Sequence, residues 1–194
     1  MAQQSRFQGM VVTADFVQVP LYQVSGVNQL ESKERWLELK VDYTTAAIGD
    51  KKMEWLDDVT FKFEVLLPTD ESGRNFVMLM GQVTYWSIPM DGKAHQAVGY
   101  IHPRFLQRYA PELKVGARSL KELYVRVTVE VNQARVGGGF FVPRGKSTKD
   151  VNAMFQKAAT MPSLTRVNDA VLGSDKTPWL FVNPGLQEPI KQTK

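Results

Sequence analysis

The segment with the closest likeness to a reactive motif is rich in glycine and ends in Gly-Lys-Ser at residues 145–147, in front of a predicted helix. A phosphate-binding loop also ends in Gly-Lys-Ser, but it needs four residues between its first glycine and its Gly-Lys pair, so that backbone amides converge on the phosphates. Here residues 140–144 separate Gly139 from that pair, and Pro143 removes one amide. The pattern therefore predicts a glycine-rich turn followed by a helix that Ser147 caps.

The chain offers few groups for metal binding or acid-base chemistry. His95 and His102 are its two histidines, and their odd spacing points them to opposite faces of an extended chain, which predicts strand-end or helix-cap roles. The acidic pair at 57–58 lacks the ligand spacing of a calcium loop. The absence of cysteine excludes disulfides and thiolate metal sites. We predict a protein that is not an enzyme and uses no cofactor or metal; a deep pocket that joins either histidine to carboxylates would indicate the alternative, an enzyme.

Positive charge is concentrated in the second half of the chain. Residues 101–194 hold 15 Lys/Arg against 7 Asp/Glu, whereas residues 1–100 hold 9 against 13. Such a layout is typical of a surface for nucleic acid, another anionic polymer, lipid headgroups or an acidic protein, and equally of a solvated face that keeps a protein soluble. The candidate residues for an anion or partner surface are Arg104, Arg108, Arg118, Lys121, Arg126, Arg135, Arg144 and Lys146.

Three aromatic residues, Trp36, Trp86 and Tyr124, fall on strand rows that we predict to face away from the core, which makes them candidate anchors. Tyr124 lies two residues from Arg126, and an aromatic on a basic strand is what oligonucleotide-binding sheets use for stacking. Protein-binding sheets use exposed aromatics as anchors as well. A third interpretation is that the late helices cover these rings.

The elements that position these residues are strands with strict alternation. Residues 123–131 set five apolar side chains against Tyr124, Arg126, Thr128 and Glu130. Residues 37–43 and 59–67 repeat the pattern, the latter with Thr60, Lys62 and Glu64 on its polar row. Antiparallel sheets with one wet face produce this signature, whereas buried parallel strands are apolar throughout. We therefore predict two sheets packed face to face.

The remaining segments complete a count of about eight strands and two short helices. The three glycines at 137–139 should interrupt the strand pattern after residue 131. Residues 89–93 should form a hairpin turn, and residues 164–172 are ambiguous between helix and strand. The predicted strands are 7–19, 36–45, 59–67, 76–88, 94–101, 123–131, 140–142 and 179–182, with helices over 104–109 and from 147 to 158.

The length of 194 residues, with 43% hydrophobic and 23% charged residues, fits one domain. We expect this domain over residues 1–184, with helical insertions near 102–110 and 147–159 and a flexible tail over 185–194. No apolar run is long enough to span a membrane. The polar first six residues predict a cytoplasmic protein if that N-terminus is native. The expected location is the cell surface, periplasm or outer membrane if an export signal was removed.

The strand series, the valine-rich strand 123–131, the late helix and the closing segment 176–182 together resemble the pilus-associated immunoglobulin-like proteins of verrucomicrobial (Akkermansia-type) bacteria. This resemblance implies a mainly β, antiparallel, immunoglobulin-like β-sandwich. It also implies a structural or adhesive role at the cell surface, in association with a type IV pilus-like assembly and without catalysis.

Two functional hypotheses follow. The first is a non-enzymatic structural or adhesion protein that contacts other subunits of a surface assembly, or a second copy of itself, through sheet edges or exposed aromatics. The alternative is a nucleic-acid-binding, OB-like β-barrel whose basic region, residues 104–149, follows a phosphate backbone. Binding of labelled single-stranded nucleic acid that weakens steeply with salt would support the alternative.

Overall fold

The computed structural model describes residues 6–19, 35–46, 54–69, 75–111, 119–181 and 190–191. The mainly β class with two helices in the second half is confirmed. The strands are β1 (Phe7–Gln18), β2 (Arg35–Thr45), β3 (Trp55–Pro68), β4 (Phe76–Pro89), β5 (Ala94–Ile101), β6 (Tyr124–Val131), β7 (Ala134–Phe141) and β8 (Thr165–Leu172), and the helices are α1 (Pro103–Tyr109) and α2 (Thr148–Ala159).

All eight strands belong to one sheet, in the order β1-β2-β5-β8-β4-β3-β6-β7. Neighbours are antiparallel except β4 and β8, which are parallel. The sheet curls until β1 and β7, at the two ends of this order, pack against each other, so that it is nearly closed. This differs from the two facing sheets that the alternation predicts, because an apolar row can be covered by the far side of its own curled sheet as well as by a second sheet.

The inside of the curled sheet holds the main core. The apolar rows of β2, β3 and β6, all predicted from their alternation, are almost fully buried there. The first residues of β4 are buried on both faces, as their weaker alternation suggested. The largest fully buried side chains of this inner core are Tyr43, Phe61, Phe63, Leu37, Leu39, Leu67, Leu79, Ile88, Ile101 and Leu123.

Two smaller apolar clusters cover parts of the outer face of the sheet. At one end, Val151 and Phe155 of α2 pack on residues that include Leu66 and Tyr124. At the other, Trp179 packs on the outward side chains of β2 and β5. The outer face between these two covers is polar.

The strand β8 separates β4 from β5. The turn predicted at 89–93 is present, with Lys93 N donating to Asp91 Oδ1 at 2.9 Å, but β4 and β5 diverge instead of pairing as a hairpin. β8 pairs with the beginning of β4 and the end of β5. The ambiguous segment 164–172 is therefore a strand, and its pairing depends on contacts distant in the sequence.

Two predicted elements are wrong. Residues 137–139 do not interrupt the strand pattern, because β7 runs through all three glycines and pairs with β6. The segment predicted as a last strand is a 3-10 helix, Pro178–Phe181. Its apolar residues suggested a strand, but Thr177 Oγ1 accepts a hydrogen bond from Trp179 N at 3.3 Å and so stabilises the helical turn.

Most of the tail predicted to be flexible lies outside the described residues. Its two described residues are held against the sheet. Ile190 pairs with Tyr85 of β4, and Lys191 N donates to Thr84 O at 2.6 Å.

Candidate functional site

The basic residues proposed as one anion or partner surface lie on separate elements. Arg104 and Arg108 are exposed on α1, Lys121 is exposed in the 3-10 helix Ser119–Glu122, and Arg135 is exposed on β7. Arg144 and Lys146 are exposed in the turn before α2. Arg118 lies outside the described residues. The described basic residues are thus distributed over several helices, strands and turns, and no single element presents all of them.

Arg126, the candidate at the centre of the sheet, already has a partner. Its Nε and Nη2 donate to the two carboxylate oxygens of Glu64 on β3 at 2.5 and 2.8 Å, and its guanidinium lies 4.6 Å from the ring centre of Phe155 on α2. The hydrogen bonds with Glu64 raise the pKa of Arg126, against the opposing effect of burial. Arg126 therefore joins β3, β6 and α2.

Two of the three aromatic candidates are buried. Trp36 is 5% exposed, with its ring 5.4 Å from Trp179 and 4.5 Å from His102. Tyr124 is 8% exposed and lies in the cluster under α2. The predicted exposure of both is wrong because the 3-10 helix and α2 cover the outer face at these points. Trp86 remains 53% exposed.

The histidines and the Gly-Lys-Ser segment have structural roles. His102 caps α1, with Nδ1 accepting from Arg104 N at 3.0 Å. The nitrogen Nε2 of His95 lies 3.0 Å from Asp91 Oδ1. Ser147 caps α2 in a reciprocal pair with Asp150, and their hydrogen bonds lower the pKa of Asp150. Among the described residues, no group of three or more potential ligands is placed to hold a metal ion.

A continuous polar groove lies on the outer face of the sheet, between the two apolar covers. We call it the outer-face groove. It consists of three depressions of about 550, 460 and 190 Å³ that share lining residues, with Gln82 common to all three. Its floor is formed by outward side chains of β3, β4 and β6: Thr60, Lys62, Gln82, Thr84, Thr128 and Glu130.

Two ion pairs lie in this groove. Lys62 Nζ lies 2.7 Å from Glu130 Oε2, and Lys191 Nζ lies 2.5 Å from Asp58 Oδ1. The hydroxyls of Thr60 and Thr84 are 2.9 Å apart. The floor therefore presents neutralised charge and hydroxyl groups instead of one dominant sign.

The two ends and one wall of the groove come from irregular backbone. On the wall, Leu79 pairs with Val167 and Gly81 with Val171, so β8 has two extra residues there, and the resulting bulge places Asn168 and Asp169 beside the groove. At one end the β6–β7 turn has positive φ at Asn132 and Gln133, as a tight hairpin turn requires. At the other end Lys191 lies 4.5 Å from the ring centre of Trp86.

Part of this groove could be read from the sequence. The polar rows of β3 and β6 are evident from the alternation, and the opposite charges of Glu64 and Arg126, or Lys62 and Glu130, are a signal that the two strands are neighbours. Sequence reasoning missed Gln82, because its strand lacks clear alternation. It also missed Asn168 and Lys191, which tertiary contacts bring to the groove.

The chain was compared with known proteins in three ways. A model of a pilus-associated-like family matches residues 1–189. A crystal structure of a protein from Akkermansia muciniphila matches with a TM-score of 0.68 and 19% identity over 100% of both chains, which shows a shared fold. No curated protein matches the chain. Among the described residues, no helix is long and apolar enough to cross a membrane.

Proposed function

The chain belongs to the family of Akkermansia-type pilus-associated proteins, and we propose that it is a non-enzymatic interaction subunit of a type IV pilus-like surface assembly. In this proposal the protein acts at the cell surface through contacts with other protein subunits. An immunoglobulin-like relationship of its curled sheet is part of the same proposal.

The observation that carries the proposal beyond family membership is the pair of sheet edges. β1 and β7 end the strand order and pack together through side chains. An edge strand presents backbone groups to which another chain can add a strand. β1 is interrupted by a bulge between Gln8 and Val11, with positive φ at Gly9, and such a bulge blunts an edge. β7 contains neither lysine nor proline, so we propose the β7 edge as the protein-binding edge.

The test is site-specific photo-crosslinking in the native host. A crosslinking amino acid replaces Arg135, which is exposed at the start of β7, and a matched variant carries it at Gln156, which is exposed on α2. We expect position 135 to give an adduct with a subunit of the assembly, or with a second copy of this chain, and position 156 to give none.

Two results would contradict the proposal. One is the absence of any adduct at position 135 while the protein is present at the cell surface, as judged by its accessibility to added protease. The other is equal adduct formation at both positions, which would indicate crowding and not an edge contact.

A further inference from the structure

The outer-face groove contains side chains that the fold leaves available for a ligand. Within the described residues, the amides of Gln82, Asn132, Gln133 and Asn168 make no hydrogen bond. Each amide offers both donors and an acceptor. Side chains that offer donors and acceptors together, grouped along one groove, match a ligand whose hydroxyl groups also donate and accept.

The charge of the groove argues against an anionic ligand. Three lysines and five acidic residues line the three depressions, and the charges of the pairs Lys62–Glu130 and Lys191–Asp58 cancel locally. A nucleic acid or sulfated polymer requires several unpaired cations along its path. The groove therefore favours a neutral polar ligand.

An exposed tryptophan beside the groove, in contact with its lining residue Lys191, supplies an apolar platform. Trp86 follows Thr84 on the same face of β4, and its ring remains half-exposed although Lys191 lies over it. An indole ring combines a flat apolar surface with a polar N–H group. It therefore suits a ligand that has an apolar face and polar edges, such as the C–H face of a pyranose ring.

A protein partner fits this groove less well. The centre of a protein interface is depleted in charged residues and is tightly packed, whereas this floor carries ion pairs and is wide open to water. We propose that the outer-face groove binds a neutral oligosaccharide, with Gln82 and its neighbouring amides contacting hydroxyl groups and Trp86 stacking on one sugar ring. This site is separate from the β7 edge.

The test is binding of the purified full chain to an array of neutral, sialylated and sulfated oligosaccharides, followed by calorimetric titration with the best neutral chain. The variants Trp86→Ala and Gln82→Ala remove the platform and the central amide. Trp55→Ala is the matched control, because Trp55 is 50% exposed on the neighbouring strand and does not line the groove. Circular dichroism checks that each variant is folded.

We expect the wild type to bind neutral chains, both groove variants to bind about tenfold more weakly or worse, and Trp55→Ala to stay within about twofold of the wild type. Binding to none of the neutral chains, or to sulfated and sialylated chains alone, would overturn the proposal. So would equal binding by the wild type and both groove variants, or an equal loss in Trp55→Ala. None of these variants changes Arg135 or the β7 edge. Failure of the oligosaccharide proposal therefore leaves the crosslinking test of the proposed function unaffected.

Discussion

The role of Arg126 shows how a charged residue that suggests a ligand site can instead hold two layers together. Its guanidinium donates twice to Glu64 and lies on the ring of Phe155. The contact with Glu64 occupies one bidentate face of the guanidinium, which is the arrangement that a phosphate would otherwise use. Tyr124 is likewise covered by α2, so the aromatic and basic residues of β6 that suggested stacking on an oligonucleotide both serve the packing of α2.

We predict that Arg126→Ala lowers the free energy of unfolding by about 1–2 kcal/mol, because it removes the bidentate ion pair with Glu64 and the cation–π contact with Phe155. The comparison variant Lys62→Ala breaks a pair whose lysine is more exposed, and should cost at most about 0.5 kcal/mol. Urea unfolding of both variants measures the difference. Equal costs would show that the contact with α2 contributes nothing.

The buried phenol of Tyr100 should make the protein less stable at alkaline pH. Burial, and next the carboxylate of Glu38, raise the pKa of Tyr100 above its ordinary value of 10.0. In the unfolded chain the phenol ionises near that ordinary value, so the stabilisation is fully present below about pH 10 and is lost as the pH rises further.

We therefore predict that the stability advantage of the wild type over Tyr100→Phe shrinks between about pH 10 and about pH 11. Urea midpoints across this range measure it. Trp36→Phe is the control, because it alters the same cluster without changing a titrating group, and its difference from the wild type should remain constant. A constant difference for Tyr100→Phe as well would mean that the phenol ionises equally in both states.

At the scale of elements, β8 depends on two glycines that let it pass between β4 and β5. A Cβ atom on Gly81 would lie 2.3 Å from Val171 O, whereas one on Gly99 would lie 2.7 Å from Val171 Cγ1. The first contact is with backbone and the second with a side chain. A smaller side chain at Val171 should therefore relieve the steric clash of Gly99→Ala but not that of Gly81→Ala.

We predict that Gly81→Ala and Gly99→Ala each destabilise the protein by about 2 kcal/mol or more. Adding Val171→Ala should recover part of the loss in Gly99→Ala and none of it in Gly81→Ala. Double-mutant cycles by urea unfolding measure both couplings. Equal recovery in the two backgrounds would show that β8 shifts as a unit instead of meeting a fixed backbone.

The elements that the sequence predicts well are those whose pattern comes from one buried face. β2, β3 and β6 alternate because their neighbours on both sides are strands and one face meets the core. β8 has two buried residues at its end and a bulge in its middle, which leaves no period to read. The segment at 178–181 has apolar residues typical of a strand, but Trp179 is buried there while its neighbour Leu180 is exposed. Local pattern did not identify either element.

At the scale of the whole molecule, alternation shows that a face is buried but not what buries it. A single curled sheet and two facing sheets both cover the rows of β2, β3 and β6. The difference depends on β8, which joins the β1-β2-β5 part of the sheet to the β4-β3-β6-β7 part. The outer-face groove follows from the same arrangement, because β8, Lys191 and the β6–β7 turn reach it from distant parts of the chain. This is why the candidate site could be predicted only in part.

The closure of the sheet depends on small residues in β7 at the seam with β1. A Cβ atom on Gly139 would lie 3.0 Å from Val12 Cγ2 and 3.5 Å from Met10 Sδ, so the side chains of β1 occupy the space that a side chain on β7 would need. Even an alanine there would require the Val12 side chain to shift by a few tenths of an ångström, and a larger side chain would require more space from β1. Gly139, one of the three glycines that seemed to interrupt the strand pattern, thus helps the two edges to approach each other.

We predict that Gly139→Val destabilises the protein by about 1–3 kcal/mol through overpacking at this seam and that Val12→Ala partly restores the loss. Hydrogen exchange should become faster in β1 and β7. It should remain unchanged in β3, which pairs with β4 on one side and with β6 on the other. Ala134→Val, at an exposed position of the same strand, is the control and should leave exchange at the seam unchanged. If Gly139→Val accelerated hydrogen exchange equally in all strands, the seam would not open separately from the rest of the sheet. The edge of β7 would then not be accessible to a partner strand, although β7 is last in the strand order.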